Sequence, residues 1–244
     1  MSVVIAPLSR ANLGGHFHGF GLRTEAELIS PFIGVDHYWM DAPTFGPHQH
    51  AGISAVSYLL PDSETGMANR DSIGTQNVIQ PGGLHWTTAG RGVVHEEVPV
   101  ETGKKVHGLQ IFVALAPSNR DIAPFPLILE AQDVPVMQEP GAKVRVPLGS
   151  YREMRSPLSP PTEVTMLDIS LEEGAELSVS IAAGHCMFAM PIDGTVEVEA
   201  QRFNREDLKL PVFPAQNTPR EVKLRAPQGS ANVVLFSGPP LPFF

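Results

Sequence analysis

Four residues in two short stretches have the types and spacing of a metal site. His48 and His50 lie two residues apart in GPHQHAGI, and His95 and Glu97 lie two residues apart in RGVVHEEVP. Because alternate residues of a β-strand point to the same side, each pair should present its two side chains on one face. If the two strands are neighbours, facing side chains lie about 5 Å apart at Cβ, which is the scale of a single ion.

The ligand types indicate what chemistry such a site would support. Three imidazole nitrogens and one carboxylate oxygen leave coordination positions open, and this mixed set suits iron, nickel, manganese or copper. A closed structural zinc site favours thiolates, and the chain has one cysteine, Cys186. An H-x-H pair by itself is also common among ordinary surface histidines, so the prediction of a reactive metal centre depends on the two pairs together.

The elements that must position these residues are predicted to be short β-strands. The 244 residues include 22 glycines and 24 prolines, a density that argues against long helices. Leu177, Val179 and Ile181 alternate with polar residues in AELSVSIAA, and GLQIFVALA and ANVVLFSG have the same period of two. Many such strands separated by turns predict an all-β sandwich, jelly roll or barrel.

A proline-rich segment near residues 117–140 separates two strand-rich halves. We therefore predict two β-domains of related design, at residues 1–128 and 129–244, with the metal site in the first. Between the two histidine stretches, Gly90 and Gly92 flank Arg91 and should allow a tight turn into the second stretch. The second half has no H-x-H, and His185 is expected to be an ordinary packed or surface histidine.

Charge and hydropathy exclude several classes of function. The net charge is −9, and no cluster of five or more Lys and Arg residues is present. A sequence-independent nucleic-acid contact needs such a basic patch, so direct DNA or RNA binding is not expected, and the same holds for an anionic membrane surface. No apolar run approaches the roughly 18 residues of a membrane span, and no signal peptide is recognisable. With the lone cysteine, this predicts a cytoplasmic protein.

The order and spacing of several motifs resemble the pirin family, a branch of the cupins. After His48, His50 and Gly52 come VSYLL (56–60), RDSIG (70–74), WTTAGRGVVHEE (86–97) and GLQIFV (108–113). The resemblance covers roughly residues 30 to 120, and TAGRGVVHEE is its most specific part. The chain departs from the family where Gln49 and Ala51 replace Pro and Arg, and where His85 replaces a glutamine.

The resemblance implies a fold, a metal and an activity. It implies a bicupin of two jelly-roll barrels, with a divalent transition metal, expected to be Fe(II), in the first barrel; Ni, Mn, Cu, Co and Zn are alternatives. It also implies quercetin 2,3-dioxygenase-like cleavage of an aromatic substrate by O2, with Glu97 as a catalytic base. The alternative is a non-catalytic regulator that binds a protein partner according to the metal's redox state. By motif position, the implied metal ligands are His48, His50, His95 and Glu97.

Other histidines and apolar residues near these motifs are weaker candidates. His16 and His18 form a second H-x-H without a partner carboxylate pair, and His107 is expected to be structural. His37 and His85 could line the pocket of the metal site. The apolar walls of that pocket, which are equally credible as core residues, are Phe45, Ile53, Trp86 and Phe112.

Overall fold

Nearly all regular elements of the chain are β-strands in a computed structural model that describes residues 3–24 and 26–242. The all-β prediction is therefore confirmed, while residues 1, 2, 25, 243 and 244 of the two predicted domains lie outside the described residues. None of the helices in the described part of the chain has the length and apolar character that a bilayer-spanning helix needs.

Eleven strands and one short helix form the first half. They are β1 (Val4–Leu13), β2 (Phe17–Leu22), α1 (Ala26–Ile29), β3 (Phe32–Met40), β4 (His48–His50), β5 (Ile53–Leu59), β6 (Met67–Asp71), β7 (Gln76–Ile79), β8 (Leu84–Thr88), β9 (Val93–Pro99), β10 (Val106–Ala114) and β11 (Phe125–Leu129).

The second half continues with twelve strands. They are β12 (Val136–Glu139), β13 (Ala142–Leu148), β14 (Ser150–Tyr151), β15 (Met154–Arg155), β16 (Thr165–Leu171), β17 (Glu176–Ile181), β18 (Cys186–Asp193), β19 (Val196–Val198), β20 (Gln201–Phe203), β21 (Lys209–Phe213), β22 (Arg220–Arg225) and β23 (Ala231–Gly238). Short 3-10 turns occupy Pro117–Asn119, Ala131–Asp133 and Arg205–Asp207.

The two halves repeat one strand topology. A thirteen-stranded sheet runs in the order β11-β8-β5-β10-β3-β2-β1-β21-β18-β23-β16-β13-β12, and each half adds a four-stranded sheet, β4-β9-β6-β7 or β17-β22-β19-β20. The run β8-β5-β10-β3 thus corresponds strand for strand to β21-β18-β23-β16. This repeat confirms that the halves share a design. The boundary between residues 128 and 129 stays a prediction.

The largest core lies between the two halves, on the outer faces of the long sheet. Val56 and Ile111 of the first half and Phe188 and Phe236 of the second belong to this core cluster and are almost fully buried. Strand β23 therefore differs from the half-buried strand that ANVVLFSG predicted. Its alternate residues Val233 and Leu235 face the interior of the second barrel, so the strand is buried on both faces.

The interiors of the two barrels differ in chemistry. In the second barrel, the inward residues of β17 and β22 are aliphatic, as Val179 and Val222 illustrate, and they belong to one closed apolar cluster. The corresponding strands of the first barrel are β4 and β9, which carry the two histidine stretches. The second barrel thus has no imidazole at the positions that hold the histidines in the first.

Candidate metal centre

The histidine stretches lie on two strands that pair with each other, which the spacing alone had left open. Strands β4 and β9 are antiparallel, with His48 opposite His95 and His50 opposite Val93. Because the side chains at positions i and i+2 share a face, this register brings all three imidazoles to one side of the sheet. Exposure falls across the group, since His48 is exposed, His50 is half-buried and His95 is buried.

The three imidazoles are close enough to share one ion. Their ligand atoms all lie within 4.8 Å of one another, and the Nε2 atoms of His50 and His95 are 3.1 Å apart. The Nδ1 atom of His48 lies 3.0 Å from the carbonyl oxygen of Gly46, to which it can donate. That hydrogen bond would leave the Nε2 lone pair free for a metal. Metal-binding histidines usually donate their other ring N–H to a carbonyl, carboxylate or water in this way.

A glycine-containing turn lies directly before β9 and leads this strand into the site. Gly90 has a φ of +50°, and a Cβ atom built there would lie 2.1 Å from the carbonyl oxygen of Ile122. The amide of Gly52, which follows β4, donates to the carbonyl of Gly90 over 2.7 Å and ties the two strands together. The turn expected from the glycines flanking Arg91 is therefore present, and Gly90 is required there for both conformation and space.

Burial keeps the inner imidazoles neutral. It lowers the pKa of His95 to about 3, with smaller contributions from His50 and His48, and it lowers the pKa of His50 to about 4. Metals bind the neutral imidazole, so these groups need not lose a proton to bind one at neutral pH. The donor set and the orientation of His48 thus fit a transition metal bound through imidazole nitrogens.

Glu97 lies beside the three histidines but outside their 4.8 Å group. Its Oε2 atom accepts a hydrogen bond from the hydroxyl of Ser57 over 2.7 Å, and its buried Oε1 atom has no partner among the described residues. Burial raises the pKa of this carboxyl to about 7. Glu97 can therefore hold or release a proton near neutral pH, and its free oxygen is available to a ligand.

A cavity of about 230 Å³ adjoins the cluster and combines aromatic walls with a few polar groups. Phe112, which lies 5.7 Å from the ring of His50, forms one wall, as predicted, and so does Phe45. Ile53 does not line the cavity, and Trp86 is fully buried in the core between the halves. The lining residues are Phe17, Arg23, Asp36, Tyr38, Met40, Phe45, His48, Met67, Glu97, Gln110 and Phe112.

The histidines predicted to line the pocket lie elsewhere. His37 faces the second half, where its Nε2 atom lies 2.7 Å from that of His107, and His107 in turn contacts Asp62. Both are buried, which agrees with the structural role expected of His107. His85 lies inside the first barrel and is fully buried, but it does not line the cavity.

The remaining histidines belong to other contacts. His16 pairs with Asp41 at 2.9 Å, and His18 stacks on Trp39. His185 lies 3.7 Å from Glu163. Among the described residues, the three-histidine cluster is the one group with the spacing of a metal site.

Several residues that line the cavity or contact Glu97 were not predicted from the sequence. Tyr38 is buried, and its hydroxyl has no hydrogen-bond partner among the described residues. Ser57 and Gln110 lie on the faces of β5 and β10 opposite to Val56 and Ile111, so the strand alternation already separated them from the core residues. What the alternation lacked was any sign that the polar faces point into the barrel.

Comparisons with known proteins relate this part of the chain to the pirins. The family model for pirin matches residues 15–113, which include all three clustered histidines and Glu97. Pirin of Mus musculus is 34% identical over 177 residues, covering 72% of this chain and 60% of the mouse protein. The chain thus spans about three fifths of the length of the curated pirins it matches.

Solved structures share the fold over nearly the whole chain. A quercetin 2,3-dioxygenase from Acinetobacter baumannii superposes with a TM-score of 0.84 at 22% identity, covering 97% of this chain and 86% of that one. The bacterial pirin YhhW from Escherichia coli, solved in complex with nickel(II), gives a TM-score of 0.76 at 17% identity and covers 98% of this chain and 100% of that one. These likenesses confirm the bicupin fold. Residues 15–113 therefore form a pirin-family domain, and over about 70% of its length the chain is similar to curated pirins.

Proposed function

We propose that this protein is a metal-dependent dioxygenase that opens a ring of a flavonol or a similar enol-bearing aromatic compound. The family relationship and a fold neighbour named as a quercetin 2,3-dioxygenase support this activity. The observation that carries the proposal is the position of the three-histidine cluster at one wall of an aromatic cavity. In such a ring cleavage both atoms of O2 enter the organic product and all four electrons come from the substrate, so no separate reductant is required.

The metal would be held by His48, His50 and His95, and Glu97 would supply a fourth ligand through its free oxygen. Fe(II) is the metal we expect, since an open site of imidazole and carboxylate ligands suits it, and nickel is the next candidate because the related YhhW was solved with it. When bound, the metal would act as a Lewis acid toward an enol oxygen and would bring O2 beside it.

The protein side chains around the cavity would orient the substrate and move its proton. Glu97 is placed to accept the proton of the substrate hydroxyl, because one of its oxygens is held by Ser57 and the other is free. Phe45 and Phe112 would pack on the planar ring system, and their apolar surfaces would exclude water from it. The substrate would thus be fixed by its ring and activated at one hydroxyl.

Oxygen uptake tests this function. Apo-protein reloaded with Fe(II), Ni(II), Co(II), Mn(II), Cu(II) or Zn(II) would be mixed with quercetin in an oxygen-electrode cell, and the loss of flavonol absorbance would be followed in parallel. Luteolin, which differs from quercetin only in lacking the enol hydroxyl, is the matched control substrate. We expect uptake with quercetin and none with luteolin, and His95→Ala should bind less metal and consume no oxygen.

A metal-loaded protein that consumes no oxygen with any flavonol would refute the enzymatic function. Bound metal without oxygen uptake would favour the regulatory alternative. The supporting observation is that His48 is exposed, because a metal ligand at the surface can change the shape that a protein partner contacts. In that case a specific partner should be captured by the wild-type protein and lost with His48→Ala.

A further inference from the structure

Among the buried polar atoms of the first half that have no hydrogen-bond partner in the described part of the chain, three belong to side chains at or next to His95. They are Nδ1 of His95, Oδ2 of Asp71 and Nδ1 of His85. Buried polar groups are nearly always satisfied, by protein or by ordered water, because an unpaired one costs about 1–3 kcal/mol. A group of three such atoms therefore points to a shared ligand.

Strand register places these atoms together. Asp71 on β6 lies directly opposite His95 on β9, and facing side chains of an antiparallel pair lie about 5 Å apart at Cβ. His85 on β8 also points into the barrel, and its charge acts on His95. The carboxylate of Asp71 acts electrostatically on both imidazoles, where it opposes the fall in pKa that burial causes.

The other atoms of the three side chains are already in use. The Nε2 atom of His95 faces His50, so its Nδ1 atom points away from the cluster. The Oδ1 atom of Asp71 accepts from the backbone amides of Ile73 and Thr75, over 3.0 Å and 2.8 Å, and this holds the turn after β6. Its Oδ2 atom is therefore the one that remains for a contact inside the barrel.

His85 is oriented in the same way. Its Nε2 atom lies 3.0 Å from the hydroxyl of Thr87, which leaves Nδ1 as the free ring nitrogen. A single water molecule could accept the Nδ1 proton of His95 and donate to Oδ2 of Asp71 and to Nδ1 of His85. That makes three hydrogen bonds, the usual number for a buried water.

We propose that Asp71 is a positioning residue for the metal centre and acts on His95 through a buried water that His85 also holds. The inference rests on the metal site in the proposed function. The carboxylate would keep the proton of His95 on Nδ1, so that the Nε2 lone pair and the ring plane face the metal. Such outer partners of ligating histidines typically change metal affinity by about 10–100-fold when they are removed.

Asp71→Asn separates this role from the structural role in the turn. The amide keeps an oxygen in the place of Oδ1 for the two backbone amides, but it replaces the accepting Oδ2 with a donor. The matched control is Glu96→Gln, which removes the same charge one residue from both His95 and Glu97. Glu96 pairs with Arg70 on strands β9 and β6 rather than with the metal cluster.

Metal affinity is the readout, measured by competition between Ni(II)-loaded protein and a chelator and by the visible spectrum of the Co(II) form. We expect Asp71→Asn to bind metal about 10-fold or more weakly with an altered Co(II) spectrum, while its metal-free unfolding midpoint stays near that of the wild type. Glu96→Gln should bind within about threefold of the wild type, because it alters only a charge and no hydrogen bond to a ligand.

Equal affinity of Asp71→Asn and the wild type would overturn the role of Asp71 and leave the metal site intact. A wild type that binds no metal would overturn both. If Asp71→Asn fails to fold, the wild type still decides the question, since long-range 1H–15N NMR reports the tautomer of His95 in the metal-free protein. The proposal requires the proton on Nδ1, and a proton on Nε2 would overturn it.

Discussion

Replacing Glu97 with Gln should stabilise the metal-free protein, and the gain should grow with pH. Burial raises the pKa of this carboxyl from 4.5 to about 7, so the folded state holds the proton more tightly than the unfolded chain does. The wild type therefore loses stability as the pH rises from about 4.5 through 7, where the folded protein must bury a charge. Gln keeps an oxygen that can accept from Ser57 and has no charge to bury.

The magnitude follows from the two pKa values. At 1.36 kcal/mol for each tenfold change in proton affinity, a rise from 4.5 to about 7 corresponds to roughly 3 kcal/mol when the group is fully ionised. The linkage relation gives about 1 kcal/mol at pH 5 and about 3 kcal/mol at pH 8. The difference in free energy of unfolding between Glu97→Gln and the wild type should thus grow by about 2 kcal/mol over that interval.

Urea unfolding of chelator-treated proteins at pH 5 and pH 8 measures this difference. The control is Glu96→Gln, which removes a carboxylate from the neighbouring position of β9 that is ion-paired with Arg70. A difference for Glu97→Gln that is the same at both pH values, or a variant no more stable than the wild type at pH 8, would refute the reasoning. With metal added, the wild type should be more stable than Glu97→Gln. The variant lacks a proposed ligand and therefore gains less stability from metal binding.

Three further substitutions test the fold and the cavity. Tyr58→Phe removes a 2.6 Å hydrogen bond to the buried carboxylate of Asp168, which joins the two halves, and should cost about 1.5–3 kcal/mol in urea unfolding. Gly90→Ala should cost at least about 2 kcal/mol and weaken metal binding, because the new methyl group meets the carbonyl of Ile122; unchanged stability would contradict the turn geometry. Tyr38→Phe removes a hydroxyl without a protein partner among the described residues, so stability should stay within about 0.5 kcal/mol, while anaerobic flavonol binding should weaken about 10-fold in a fluorescence titration.

The alternation of residues along the strands correctly predicted which residues share a face. It did not predict what each face contacts. Leu109, Ile111 and Val113 share one face of β10, and that face packs on the second half of the protein. The opposite face carries Gln110 and Phe112, which line the cavity. A period of two separates two faces without saying which is inside a barrel, since that depends on which sheet lies across from the strand.

Residues that contact the site through long-range strand pairing could likewise not be predicted from the sequence. Ser57 holds Glu97 from β5, and Asp71 lies opposite His95 from β6. Neither has a spacing to its partner that any local rule would single out. His37 was a candidate for the pocket because it lies close in sequence to the first histidine pair, but strand parity turns it to the other side of β3, toward His107.

The sequence by itself determined the strand class of the fold, the shared face of each histidine pair and the glycine turn at Gly90, because these depend on backbone geometry over a few residues. Its resemblance to the pirin family also indicated the ligand set. Only the tertiary structure decided that β4 and β9 are neighbours and in which register, and that the polar interior belongs to one barrel while its repeat is aliphatic. Sheet order and register arise from contacts between distant parts of the chain, so local patterns are compatible with many of them and the packed fold selects one.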